Sequence, residues 1–254
     1  MKTTLFRMLF ACFVGIVAIG NGYAADIIEV VKASGKVMTK QEGQQEQAVG
    51  EKSQLAAKNT IVTGPDGRAV VRVGSTGYIV IEKNSTVEIN QEPDHAGFFR
   101  QVTGMIYYAM NKLRLGQKTV EVRMATATIG IRGTRFLVAD LPERREIGMR
   151  KGEINVASTD KEFEIHRKAE LDEFEAFKQE GRDAIEKQKK EFEEYKTKTQ
   201  KEFVEYKREF TLGANRMVSF DGQRVEDKPL SGDTQKDMEN IETYAKEWLD
   251  TVQD

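Results

Sequence analysis

Arg68-Ala69-Val70-Val71-Arg72-Val73-Gly74-Ser75-Thr76-Gly77-Tyr78-Ile79-Val80-Ile81 decides the fold class: two runs rich in β-branched side chains are parted by a short turn of Gly, Ser and Thr. Val and Ile are stiff at χ1 and fit a pleated surface, while the separating residues tolerate tight backbone geometry. The same rhythm continues outward on both sides. Upstream lie Glu29-Val30-Val31, Gly35-Lys36-Val37-Met38 and Thr60-Ile61-Val62, the last followed by the turn sequence Gly64-Pro65-Asp66-Gly67. Downstream lie Thr86-Val87-Glu88-Ile89, Gly104-Met105-Ile106-Tyr107-Tyr108, Val120-Glu121-Val122, Arg135-Phe136-Leu137-Val138 and Glu153-Ile154-Asn155-Val156. Of these, residues 86–89 and 153–156 alternate apolar with polar, as half-buried strands do. Residues 25–159 are read as one all-β domain, an antiparallel roll or sandwich or a short solenoid. That length suffices for a core of its own.

The chain has 254 residues, 39 basic and 41 acidic side chains, a formal net charge of −2, one cysteine and two histidines. This balance excludes a nucleic-acid binder that relies on net charge, and an integral membrane bundle. So few Cys and His exclude a Cys/His zinc site and a disulfide framework. At the N-terminus, Lys2 and Arg7 precede an apolar run from Met8 to Ile19, and Gly22 and Ala24 are the small residues of a cleavage site. This is the pattern of a secretory signal peptide, residues 1–24, cut after Ala24. The apolar run is shorter than the roughly 20 residues that span a bilayer, so no membrane span is expected after cleavage. Cys12 lies within the run and is not read as a lipidation site. Loss of Lys2 and Arg7 takes the formal charge from −2 to −4 and leaves a cysteine-free, periplasmic mature chain.

Gly35-Lys36-Val37, Leu55, Ile61-Val62-Thr63-Gly64, Gly67-Arg68-Ala69-Val70-Val71 and Asn84-Ser85-Thr86-Val87-Glu88 occur in the order of a FecR domain. Ala125-Thr126-Ala127-Thr128-Ile129-Gly130-Ile131-Arg132-Gly133-Thr134-Arg135-Phe136 resembles that family's Thr/Ala run leading into Arg-Gly-Thr-x-Phe. Glu146 to Met149 and Gly152 to Val156 follow, similar to the strand-turn-strand that closes the domain. The resemblance spans about Gly35 to Val156. It implies an extracytoplasmic sensing or protein-interaction module, best known from regulators that relay receptor occupancy to a sigma factor. Those regulators carry a cytoplasmic segment and a transmembrane helix ahead of the domain, and here a signal peptide stands in that place. The motif residues Thr63, Gly64, Gly130, Arg132, Gly133, Thr134 and Phe136 are read as structural. Gly130 and Gly133 would let the chain turn, and Arg132 and Thr134 would cap or bridge strands. The alternative is an Arg132 donor fork for an anionic partner.

From Asp160 to Phe210 the composition changes abruptly: 16 acidic and 13 basic residues in 51, one glycine and no proline. Glu162-Phe163, Glu173-Phe174, Glu191-Phe192 and Glu202-Phe203 recur at intervals of 11, 18 and 11, close to whole numbers of helical turns. Residues 160–212 are therefore read as a long charged helix, coiled-coil-like, about 75 Å in length at 1.5 Å per residue. Its aromatic stripe, Phe174, Phe177, Phe192, Tyr195, Phe203, Tyr206 and Phe210, is read as a seam for self-association or for docking a partner. Gly181 would be a hinge if the segment folded back, but the stripe keeps phase across it and a continuous helix is preferred.

Leu212-Gly213 is read as the helix stop. Residues 213–230 form a β-hairpin turning at Asp221-Gly222, and 231–254 hold an amphipathic helix with Met238, Ile241, Ala245, Trp248 and Leu249. The hairpin resembles the strand that follows the family core, which a straight helix would leave far from home. Either the helix folds back at Gly181 or the hairpin docks on another subunit.

For function, the familiar nucleophile, metal and phosphate-loop motifs are missing, and His95 and His166 are read as solvated. The chain is expected to be non-catalytic, without cofactor or metal. It is read as an interaction or envelope-signalling module whose partner is an envelope protein or a second copy. Cell-wall glycan binding or an architectural spacer role is the alternative, with Tyr78, Tyr107 and Tyr108 as stacking surfaces. Nucleic acid is not an expected partner.

Overall fold

A computed structural model describes residues 27–41, 43–90, 95–112, 119–131, 133–167 and 203–253. The signal segment, Arg132, Gly181 and the stripe residues Phe174, Phe177, Phe192 and Tyr195 lie outside the described residues.

The first strands are β1 (Ile28–Ser34), β2 (Val37–Gln41), β3 (Gln47–Ala48), β4 (Gln54–Leu55), β5 (Asn59–Thr63), β6 (Arg68–Val73), β7 (Gly77–Ile81) and β8 (Thr86–Asn90). There follow β9 (His95–Met110), β10 (Thr119–Arg123), β11 (Ala127–Ile131), β12 (Arg135–Leu141), β13 (Arg144–Lys151) and β14 (Glu153–Ser158). The chain closes with β15 (Phe163–Arg167), β16 (Phe203–Lys207), β17 (Glu209–Gly213), β18 (Arg216–Asp221), β19 (Arg224–Pro229) and helices α1 (Gly232–Tyr244) and α2 (Lys246–Leu249).

These strands pair into two sheets. One runs β4-β1-β6-β7-β9-β12-β13-β18-β19-β15-β16. The other runs β3-β2-β5-β8-β9-β10-β11-β14-β17. All pairs are antiparallel except β9 with β10 and β15 with β19. The long strand β9 belongs to both sheets: its first part pairs β8 and β10, and from Gly104 onward it pairs β7 and β12. At that crossing Gly104 has φ +102°, and a Cβ there would stand 2.4 Å from the Ser85 Cα. The buried amide of Gln101 fills the same corner, donating to the Gly104 and Val138 carbonyls at 3.0 and 3.2 Å and accepting from the Tyr108 hydroxyl at 3.2 Å. A buried polar group satisfied in this way carries little penalty.

Alternation assigns the core. Ala69, Val71, Ile79, Ile81, Ile106, Tyr108, Phe136 and Val138 point between the sheets, into one continuous apolar cluster. Their neighbours Val70, Val80, Tyr107, Ala109 and Leu137 point the other way, into a second cluster under Met238, Ile241, Ala245, Leu249 and Val252. The helices thus cover the outer face of the first sheet. This explains why residues 68–73 and 78–81 read as near-continuous apolar runs: both of their faces are buried. In β8, by contrast, Val87 and Ile89 are buried while Thr86, Glu88 and Asn90 are part-exposed.

Polar contacts hold the helical layer in register. The Ser231 side chain caps α1 by accepting from the Thr234 amide at 3.2 Å. Arg144 donates to Glu146 at 2.8 Å and to Asp237 at 2.6 Å, and the buried Thr234 hydroxyl donates to Glu146 at 2.8 Å. The Lys32 ammonium lies 4.0 Å and the Arg68 guanidinium 4.2 Å from the Tyr244 ring centroid.

The structure corrects the sequence reading at the charged segment. Residues 163–167, 203–207 and 209–213 are strands, not the two ends of a helix, and the intervening 168–202 lie outside the described residues. Phe163 and Ile165 are both fully buried, as are Phe210 and Leu212 to within 6%. Residues two apart sharing one buried face mark a strand, whereas the recurrence of Glu-Phe at 11 and 18 compares distant positions and is blind to that local period. Leu212 sits inside β17 rather than at a helix stop. The hairpin β18–β19 docks on its own chain: β18 pairs β13 through Glu146↔Ser219, Ile147↔Val218 and Gly148↔Met217. The two ends of the 168–202 segment are neighbours, because Arg167 pairs Phe203 across β15 and β16. Gly130 also departs from its expected turn. It lies within β11, opposite Glu121 and Asn155.

Candidate interaction surface

At one end of the sandwich, β15, β16 and β19 extend the first sheet beyond β17, the last strand of the second. Phe163 anchors this end, with its ring edge-on to Phe210 at 5.6 Å and Phe220 at 5.9 Å. Next to this aromatic cluster the inner face turns polar. The Asp227 carboxylate, 9% exposed, accepts from Arg167 Nε and Arg216 Nε, each at 2.8 Å. Further out, Lys207 pairs with Glu205 on the same strand, and this contact holds the Glu205 carboxyl below the usual carboxylate range. On the outer face of β16, Val204 is 40% and Tyr206 65% exposed. Of the three stripe residues within the described part, Tyr206 faces solvent, Phe210 is buried in β17, and Phe203 pairs with Arg167. Tyr206 and Phe210 do not share a face.

At the opposite end, β2, β3 and β4 border a cleft of about 380 Å³ whose lining includes Thr39, Gln41, Gln44, Gln47, Gln54 and Asn59. Amide side chains offer a donor and an acceptor in one plane. The Thr39 hydroxyl is enclosed and has no hydrogen-bond partner among the described residues.

The motif residues meet around the strand ends. The buried Thr63 hydroxyl donates to the Glu82 carbonyl at 2.6 Å and accepts from the Ser85 amide at 2.9 Å. Gly64 bonds the Lys36 carbonyl at 2.8 Å. Gly133 has φ +78°, with its pro-Cβ position 2.5 Å from the Lys112 Cα. Thr134 exchanges backbone bonds with Met110, and Phe136 stacks on Tyr108 at 4.9 Å and 13°. The neighbouring Arg135, which the sequence reading passed over, donates to the Leu249 carbonyl at 3.1 Å and so ties α2 to β12.

The remaining candidates lie elsewhere than expected. Tyr107 and Tyr108 are fully buried and Tyr78 is packed against the helical layer, so none is an open stacking platform. His95 opens β9, and His166, read as solvated, is instead buried in β15, 2.8 Å from Glu164. Asp227, Arg167 and Arg216 carried no sequence signal, because the pairing spans 60 positions from Arg167 to Asp227.

Burial pushes the Tyr107 and Tyr108 phenols well above the ordinary tyrosine range, and for Tyr107 the hydrogen-bonded Glu242 carboxylate adds to the effect. A raised native pKa means that the folded state retains these protons. The contribution is present below the unfolded value of about 10 and is lost as pH rises beyond it. An alkaline titration is expected to show two of the seven tyrosines ionising only as the fold is lost. All ionising together in a still-folded protein would contradict their burial.

Two packed sheets under a helical lid define the class, an all-β sandwich domain. Within it, the family model described as FecR protein matches residues 59–155. The matched stretch runs from β5 into β14. Two crystal structures of a candidate anti-sigma factor from Parabacteroides distasonis ATCC 8503, at 2.50 and 1.65 Å, are similar at 13% identity. The matches cover 70% and 72% of this chain, with TM-scores of 0.43 and 0.45. The chain spans 61% and 64% of the length of those structures. Among curated proteins nothing matches. No helix among the described residues is long and apolar enough to cross a membrane.

Proposed function

We propose that this chain is a non-catalytic FecR-domain protein, exported to the periplasm after cleavage behind Ala24, that acts by binding an envelope protein in a signalling relay. The observation that carries this reading is the pairing of Arg167 with Phe203 in a sandwich that holds a FecR domain. The 35 residues between this pair, 20 of them charged, join two neighbouring strand ends. The stripe residues Phe174, Phe177, Phe192 and Tyr195 among them are the proposed docking contacts. A second reading, cell-wall glycan binding, is favoured by the amide-lined cleft at the far end.

One replacement separates them. Joining Arg167 to Phe203 through Asn-Gly matches the two-residue hairpin geometry of an antiparallel pair. The shortened protein should melt within a few degrees of the parent. Crosslinking in cells should then lose a discrete partner that the parent captures. Unchanged partner capture by the shortened protein would reject the segment as the docking element. Retention of both proteins on purified cell wall, with no protein partner for either, would favour the cleft.

A further inference from the structure

The two sheets are guarded unequally at their ends. On one side they stop at β3 and β4, strands of two residues each. On the other, the first sheet stops at β16, a five-residue strand, and among the described residues nothing pairs with its far edge. Short edge strands discourage pairing with another chain, whereas a longer one offers a row of open backbone groups. Val204 and Tyr206 on this strand are two of the four exposed large apolar side chains among the described residues.

Charge decides what can lie on that edge. Ile165 pairs Glu205 and Phe163 pairs Lys207, and directly opposed residues share a face. Glu205 and Lys207 therefore stand on the inner face, beside the buried Ile165 and Phe163. Glu205 and Lys207 pair with each other on this strand, so a neutral partner strand gains nothing from these inward charges, whereas one with matching charges does. The same strand in reverse can supply them. In a two-fold antiparallel pair, each residue must meet one of its own pleat face, so one residue sits on the axis opposite its own copy. With Glu205 on the axis, like charges collide. With Val204 there, Glu205 meets Phe203. With Tyr206 on the axis, Glu205 of each copy faces Lys207 of the other, and the exposed Tyr206 rings meet on the outer face.

We infer that β16 is a self-association edge, pairing antiparallel with β16 of a second copy about a two-fold axis at Tyr206. This goes beyond the signalling reading and stands whether or not an envelope partner is found, since it concerns the purified protein alone.

The test uses the mature chain from Ala25, which has no cysteine of its own. Oxidation of the Tyr206→Cys variant should give a disulfide-linked dimer, because the two positions oppose each other. Val204→Cys, on the same face but two residues off the axis in each copy, should stay uncrosslinked. In light scattering, Glu205→Lys alone or Lys207→Glu alone should weaken the dimer roughly tenfold or more, by turning two attractions into repulsions. The double swap should restore it, as Lys at 205 then faces Glu at 207. A parent protein that stays monomeric at its highest soluble concentration overturns the inference. So does equal crosslinking at 204 and 206, or a double swap as weak as the singles in variants that melt like the parent.

Discussion

Truncation after Leu230 should abolish the soluble fold, even though it removes nothing from the FecR match. Met238, Ile241, Leu249 and Val252 are at most 6% exposed and cover Val70, Val80, Tyr107 and Leu137. Burying one such side chain is worth about 1.5–3 kcal/mol, so losing four forfeits roughly 6–12 kcal/mol before the uncovered sheet is counted. A domain holds about 5–15 kcal/mol in total. The expected result is an insoluble or dye-binding product without a cooperative melt. A soluble truncated chain melting sharply near the parent temperature would show that the helical layer is dispensable. By the same reasoning residues 59–155 alone are not a folding unit: they omit β1, β2 and β18, which pair β6, β5 and β13.

The second large effect concerns two glycines that look alike in the sequence. Gly104→Ala must place a Cβ 2.4 Å from the Ser85 Cα at φ +102°. A backbone held in a sparsely populated region costs about 1–3 kcal/mol, and overpacking about 1–3 more. Together these predict a loss of roughly 2–6 kcal/mol, or about 4–24 °C in Tm at the 2–4 °C per kcal/mol of a domain this size. Gly130→Thr meets nothing within 4 Å and sits at an exposed position of β11, between the buried Ile129 and Ile131. It should be neutral or slightly stabilising, because a β-branched residue suits a strand better than glycine. Thermal melts of the two variants test the pair; a Gly104→Ala protein melting with the parent would refute the corner geometry.

The core strands were legible because their chemistry is local. Residues 68–81 declare two strands and a turn within one window. The motif around Gly133 to Phe136 marked a real junction, although Arg135, its link to α2, went unnoticed among exposed-looking charges. The double burial of β6, β7, β9 and β12 was not legible, since a run apolar on both faces does not reveal what covers each. The charged segment misled for a specific reason. Glu162-Phe163 and Glu202-Phe203 fit a helical recurrence, yet Phe163 and Phe203 each open a strand whose partners are distant. Phe163 finds Phe210 and Phe220, Arg167 finds Asp227, and β15 runs parallel to β19. No local window holds such pairings. The edge position of β16 among the described strands was hidden for the same reason, because an edge is defined only by the strand beside it.

The pairing of Arg167 with Phe203 also bears on how this protein can diversify. Once the two ends of a segment are hydrogen-bonded neighbours, the entropy of closing it rises only with the logarithm of its length, about 0.6 kcal/mol for each doubling. The closure cost of insertions and deletions between these two residues is therefore small. Drift in length and composition can be tried there without risking the core, and the sheet edge serves as a mounting point whose cargo is exchangeable over evolutionary time.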